Sequence, residues 1–185
     1  MERDLLDQID KESLEKLNKI IEDDYINPSS DLKIKFFLGL RWLGEATKPD
    51  TIESRFVKLF FSLEGLIGGG IGNSRETKII LARRCAHLIS QTKKEQDKIY
   101  HSILRYYVTR SQIVHGNNKG ISEKDFSDFG AIVRKTAWAL LEVVNQYENV
   151  NDLHYSLLGI TPGTNKNWFY TKLYKLRRWY RSWKG

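Results

Sequence analysis

The stretch Tyr106-Tyr107-Val108-Thr109-Arg110-Ser111-Gln112-Ile113-Val114-His115-Gly116 holds an arginine, a small polar residue directly after it, and a histidine five positions past the arginine. A glycine follows at once. The run leading into it, from about Glu95, places Ile99, Ile103, Tyr107 and Val114 at spacings of four, four and seven, which predicts one apolar stripe of an α-helix. Arg110 lies on that stripe, three residues past Tyr107. A lone arginine on an apolar seam needs a partner or a purpose. Gly116, Asn117, Asn118 and Gly120 supply residues that stop a helix. Arg110, Ser111 and His115 therefore fall in the last turn and cap, where the helix dipole favours cations.

Helical periodicity continues on both sides. Upstream, Asp50 or Thr51 starts a helix, with Glu53 placed for a capping-box-like contact three residues after Asp50. Ile52, Phe56, Leu59, Phe60 and Leu63 give it a broad apolar face. Glu64 follows among Leu63, Leu66 and Ile67 and has two readings. It is a solvated acid beside the stripe, or it faces Arg110 and holds the guanidinium in a fork-like pair. Gly68-Gly69-Gly70-Ile71-Gly72-Asn73 lacks a Gly-Lys-Ser/Thr ending and a preceding strand, so it reads as an inter-helix loop rather than a phosphate cradle. A helix over about 75–90 carries Ile80, Leu81, Cys85, Leu88 and Ile89. His87 within it, and His101 beyond it near Lys98 and Arg105, read as core-edge or surface histidines. Downstream, Ser122 and Asp125 form a capping pattern. The helix behind it runs to about Tyr147 through Phe126, Phe129, Val133, Leu140 and Val143.

Nearer the start, an amphipathic helix over about 4–21 carries Leu6, Ile9, Leu17 and Ile20 on one face. Asn27-Pro28-Ser29-Ser30 breaks it. Asp31 caps a second helix holding Ile34, Phe37, Leu38 and Trp42, and Lys48-Pro49-Asp50 ends that one. No strand-like alternation of useful length and no internal repeat is present. The expected fold is an all-α antiparallel bundle. Residues 1–47 form an N-terminal helical extension, 48–150 the core, and 151–185 a basic aromatic segment.

Composition bounds the function. At 185 residues one domain is the default, with an ordinary apolar fraction of 41% and so enough material for a core. No apolar run approaches a membrane span, so no stable membrane insertion is expected. The start "MERDLLDQIDKES" is no secretory signal. One cysteine, Cys85, makes no internal disulfide and points to a reducing cytoplasm. The four histidines and the cysteine are scattered, with no metal-ligand spacing. The net charge of +7 comes wholly from the end of the chain: 166–184 holds seven basic residues and no acidic one. That segment interleaves Lys172, Lys175, Arg177, Arg178 and Arg181 with seven aromatics. Basic charge attracts phosphates and aromatic faces stack on unpaired bases, so RNA is its first candidate partner. An acidic protein partner or a membrane surface would suit a basic amphipathic helix too.

The motif stretch resembles the signature of the HEPN superfamily, and most closely the Apea-like HEPN domains. The resemblance rests on Arg110-Ser111, three spacer residues and His115, within the phrase "YVTRSQIVHGN", and on the upstream helix "RFVKLFFSLEGLIG". It covers about residues 51 to 148. It implies a metal-independent ribonuclease, without cofactor, that forms a homodimer with both motifs lining one cleft. Such proteins serve toxin–antitoxin or antiviral systems, so an antitoxin or other regulatory protein is a further implied partner. On this resemblance Arg110, Ser111 and His115 are the catalytic candidates. His115 would exchange a proton with the RNA 2′-hydroxyl or the leaving 5′-oxygen. Arg110 would steady the charge on the phosphoryl oxygens. Ser111 would bind the phosphate or orient the histidine. Asn117 is a candidate RNA contact, and Glu64 and Tyr107 are supporting residues. Two other classes stay open: a non-catalytic binding or dimerisation module, and a toxin acting through its basic tail.

Overall fold

The computed structural model describes residues 11–69, 74–116 and 120–158. They form seven helices and no strand: α1 (Lys11–Asp24), α2 (Asp31–Thr47), α3 (Ile52–Ile67), α4 (Ser74–Ile89), α5 (Lys93–Val114), α6 (Glu123–Val143) and α7 (Val150–Leu157). The described residues are all-α, as the helical periodicity predicts. Short connections set successive helices against one another, and one core runs through them.

Side-chain oxygens start most of these helices. Thr51 Oγ1 accepts from the Ser54 N–H at 3.2 Å to begin α3. Asp50, just before it, accepts from the Thr51 N–H at 2.8 Å and from Lys58 Nζ at 2.8 Å. The lysine and the hydrogen bonds pull the Asp50 carboxyl down to about 2. Ser30, not Asp31, caps α2, because its Oγ reaches the Lys33 N–H at 3.3 Å. Asp31 is already helical and meets the dipole in the first turn. Thr92 caps α5, its Oγ1 accepting from the Glu95 N–H at 3.4 Å and donating to Glu95 Oε2 at 3.2 Å, so α5 begins at Lys93, two residues before the sequence-based expectation. Ser122 caps α6 as expected, accepting from the Asp125 N–H at 3.0 Å.

α2 is built into the core rather than laid beside it. Leu32 and Phe36 are buried, and α2 crosses α3 at Gly39 and Gly65. A Cβ on Gly65 would stand 3.0 Å from the Gly39 Cα. Ser62 Oγ donates to the Gly39 carbonyl at 2.8 Å across the same crossing. Behind α3, an aromatic cluster ties α3, α5 and α6 together. Phe129 meets Phe60, Phe56 and Tyr106 with ring centroids 4.5, 5.0 and 5.0 Å apart. Offset and edge contacts of this kind add to the area they bury.

Arg84 of α4 closes the far end of α3. It is 4% exposed and has no carboxylate beside it among the described residues. Its Nη1 donates to the carbonyls of Ile67 at 3.0 Å and Gly69 at 2.5 Å, and its Nη2 to Asn151 Oδ1 of α7 at 2.5 Å. The negative end of the α3 dipole is thus its electrostatic partner. Burial still lowers its pKa to about 10.

Candidate functional site

The motif lies where α5 ends. Ile99, Ile103 and Tyr107 face the core as expected, and fully buried Tyr106 joins them. Val114 does not. It is 52% exposed, and Ile113 makes the core contact in its place. The last turn of α5 sits at the rim of the bundle, so an apolar residue at the right angle finds no wall to pack on. Tyr107 packs edge-on against Phe60 at 5.9 Å, and Lys78 of α4 brings its Nζ within 5.9 Å of the Tyr107 ring. Lys78 is the site cation that the motif did not announce. Its spacing within α4 matches no pattern, and only the packing of α4 on α5 brings it here.

Arg110 turns toward α3. Its guanidinium carbon stands 6.0 Å from the centroid of the Phe61 ring. Its Nε is buried with no hydrogen-bond acceptor among the described residues. Glu64, one turn past Phe61, is near enough to feel the charge: burial raises the Glu64 carboxyl, and Arg110 pulls it back down. The fork-like pair read from the sequence is not formed, since no ion pair within 4.0 Å joins Glu64 to Arg110. The two charges attract across a gap. The guanidinium therefore keeps donors that neither a carboxylate nor a carbonyl has taken up.

His115 is the C-cap of α5, at φ −92° and ψ 9°, and is exposed. Its N–H donates to the Ser111 carbonyl at 3.1 Å. Gly116 follows at φ +71°, a left-handed conformation that ends helices and that glycine adopts without steric cost. Ser111, four residues before His115, lies one turn below it on the same edge and is half-buried. Five residues separate Arg110 from His115, about 140° around the helix. Arg110 therefore points to α3 while Ser111 and His115 face outward. Val108, 51% exposed, and Val114 add apolar surface beside them.

Asn117, Lys172, Lys175, Arg177, Arg178 and Arg181 lie outside the described residues. Among the described residues no group of three or more His, Cys, Asp and Glu is arranged to hold a metal ion, and no helix is long and apolar enough to cross a membrane. No family model, no curated protein and no solved structure matches the chain.

Proposed function

We propose that this chain is a cytoplasmic, metal-independent endoribonuclease of the HEPN type, working as a symmetric homodimer in toxin or antiviral defence. One observation carries the reading. At one helix end an arginine keeps unused donors beside an aromatic wall, while a histidine stands exposed at the cap with a serine one turn below. RNA supplies its own nucleophile. The 2′-hydroxyl oxygen attacks the adjacent phosphorus as His115 takes its proton, and the 5′-oxygen leaves with a proton given by the protonated His115 of the second copy. The products are a 2′,3′-cyclic phosphate and a 5′-hydroxyl end. Arg110 steadies the charge on the non-bridging oxygens. A single candidate catalytic histidine per chain and the angle between His115 and Arg110 both favour a site completed by a second copy across a twofold axis. The exposed Val108 and Val114 suit burial in such a contact.

A second reading is favoured by the packing of Arg110 on Phe61 within reach of Glu64. Here the chain is a non-catalytic module in which Arg110 is structural and His115 only caps α5. Cleavage of mixed RNA in the presence of chelator, measured beside thermal melting, separates the two for wild type, His115→Ala, Arg110→Ala and Arg110→Lys. The ribonuclease reading expects wild-type cleavage in chelator and a loss of roughly 10²–10⁴-fold on removing His115. His115→Ala should melt close to wild type, because the side chain is exposed. Arg110→Lys should fail nearly as badly as Arg110→Ala, since it keeps the charge but not the fork of donors. Intact RNA with every variant, together with early melting of Arg110→Ala, would leave the structural reading standing.

A further inference from the structure

Nine large hydrophobic side chains are exposed among the described residues, and six of them belong to the α1–α2 hairpin: Leu14, Ile21, Tyr25, Ile26, Ile34 and Leu38. Leu14 and Ile21 share one edge of α1, seven residues apart, and Tyr25, four past Ile21, follows just beyond the helix end. Tyr25 continues onto α2 through an edge-on contact with Phe37, 5.3 Å between centroids, one turn from Ile34. Scattered exposed leucines need no account, but a band of this kind marks an interaction surface. Its border is acidic. Glu15 and Glu22, one residue after Leu14 and Ile21, flank the band along α1, and Glu15, Glu22 and Asp23 are all exposed. The only ion pair among the described residues that engages any of these three joins Glu15 to Lys11 at 3.8 Å, and its members are 67% and 91% exposed.

The chain also contains a segment complementary to this surface. Residues 1–31 hold ten acidic and four basic residues, whereas 159–185 hold seven basic and none acidic. The later segment carries seven aromatics as well, so it matches both the apolar band and its charged border. Reach is not a barrier. The Leu32 N–H at the start of α2 donates to the Glu148 carbonyl at 3.0 Å, and α7 begins two residues later. An eight-residue helix is about 12 Å long, so Leu158 lies within roughly 20 Å of the α2 start. The 27 residues beyond Leu158 can span several times that distance.

We propose that the basic aromatic segment 165–184 docks on the exposed α1–α2 face of its own chain. Its aromatics cover Leu14, Ile21 and Ile34, and its lysines and arginines meet Glu15 and Glu22. Docking withholds from an outside polyanion the same charges that would attract one. The inference is independent of the ribonuclease reading, because it uses neither Arg110 nor His115.

Zero-length carbodiimide coupling of carboxylates to lysines in the dilute full-length protein, with the joined sites mapped by peptide mass, tests it. Couplings within one chain from Glu15 or Glu22 to Lys172, Lys175 or Lys184 are expected. They should disappear at about 1 M salt, where charges a few ångströms apart are already screened. They should also disappear from E15K/E22K, which changes only exposed side chains and should melt like wild type. K172E/K175E, which leaves the bundle untouched, should show the same loss of coupling at Lys184. The absence of these couplings in wild type, their survival in both variants, or their formation only between chains would overturn the proposal. The last result would make a second copy the occupant instead.

Discussion

Gly39 and Gly65 let the backbones of α2 and α3 touch. A methyl group on Gly39 would stand 2.3 Å from Leu66 Cγ and 2.9 Å from the Leu66 backbone nitrogen. The side chain could turn away, but the backbone could not. Gly39→Ala should therefore destabilise the fold by about 1–3 kcal/mol, although alanine is the better helix former. A lowered denaturation midpoint checks this, and a midpoint equal to wild type would show that the helices can separate without cost. Gly44, on the same helix, serves as the control, because a methyl group there would have nothing within 4 Å: Gly44→Ala should be neutral or stabilising. Nothing in the sequence distinguished Gly39 from Gly44, because each sits singly within the same helical run. At the motif the sequence was more legible. The glycine after His115 announced the helix end, and that end is where the chain turns. The gap between Glu64 and Arg110 could not be read, since hydrogen-bonding distance across two helices depends on how far each is rotated.

Helix rotation is also where sequence reasoning erred at the scale of the element. For α2, Ile34, Phe37, Leu38 and Trp42 were the apolar residues singled out, and of these Phe37 packs half-buried against the core. The buried side chains are instead Leu32 and Phe36, with Gly39 and Ala46 on the same face. Both sets fit a helical period. α2 is apolar nearly all round, so periodicity fixed its type and left its rotation open. Packing on α3 through Gly39 selects the second set. Phe36→Ala should then cost about 3–5 kcal/mol, whereas Ile34→Ala, at a position 52% exposed on the bundle, should cost clearly less. Equal losses for the two would reject the assigned rotation. Where the apolar face is narrower the reading held. Phe56, Leu59, Phe60 and Leu63 of α3 are buried, as are Phe129, Val133 and Leu140 of α6. The expected end of α6 at Tyr147 overshot, because the helix closes at Val143 and the chain turns toward Asn149, which caps α7.

Across the whole molecule, charge sets how the fold should respond to acid. His154 of α7 is buried, and its Nδ1 has no hydrogen-bond partner among the described residues. Burial first, and then the charges of Arg84, His87 and Arg83, push its pKa down to about 3. His87 is lowered too, by burial and then by Lys93 and Arg83. An imidazole in the unfolded chain takes its proton near the ordinary value of 6.5. Above that pH neither state binds the proton, and the stability is fully present. As the pH falls through 6.5 the unfolded state gains a proton that folded His154 refuses, so stability drops by up to about 1.4 kcal/mol per pH unit for this residue alone. The loss ends only near pH 3, where the folded imidazole also titrates. Lowered carboxylates such as Asp24 and Asp50 act in the same direction, but only as the pH approaches their ordinary value of 3.8. Glu64, raised by burial, acts in the opposite direction. The lowered carboxylates leave the interval from pH 7 to pH 5 mainly to the histidines. Denaturant unfolding at those two pH values should show wild type losing about 2 kcal/mol or more. His154→Met removes the titrating group while keeping an apolar side chain of similar length, so its absolute stability matters less than its slope. Most of the loss should vanish, leaving the smaller part due to His87. A slope unchanged by His154→Met would mean that this imidazole charges freely in the folded state, and that α7 opens to water far more easily than its packing beneath Arg84 implies.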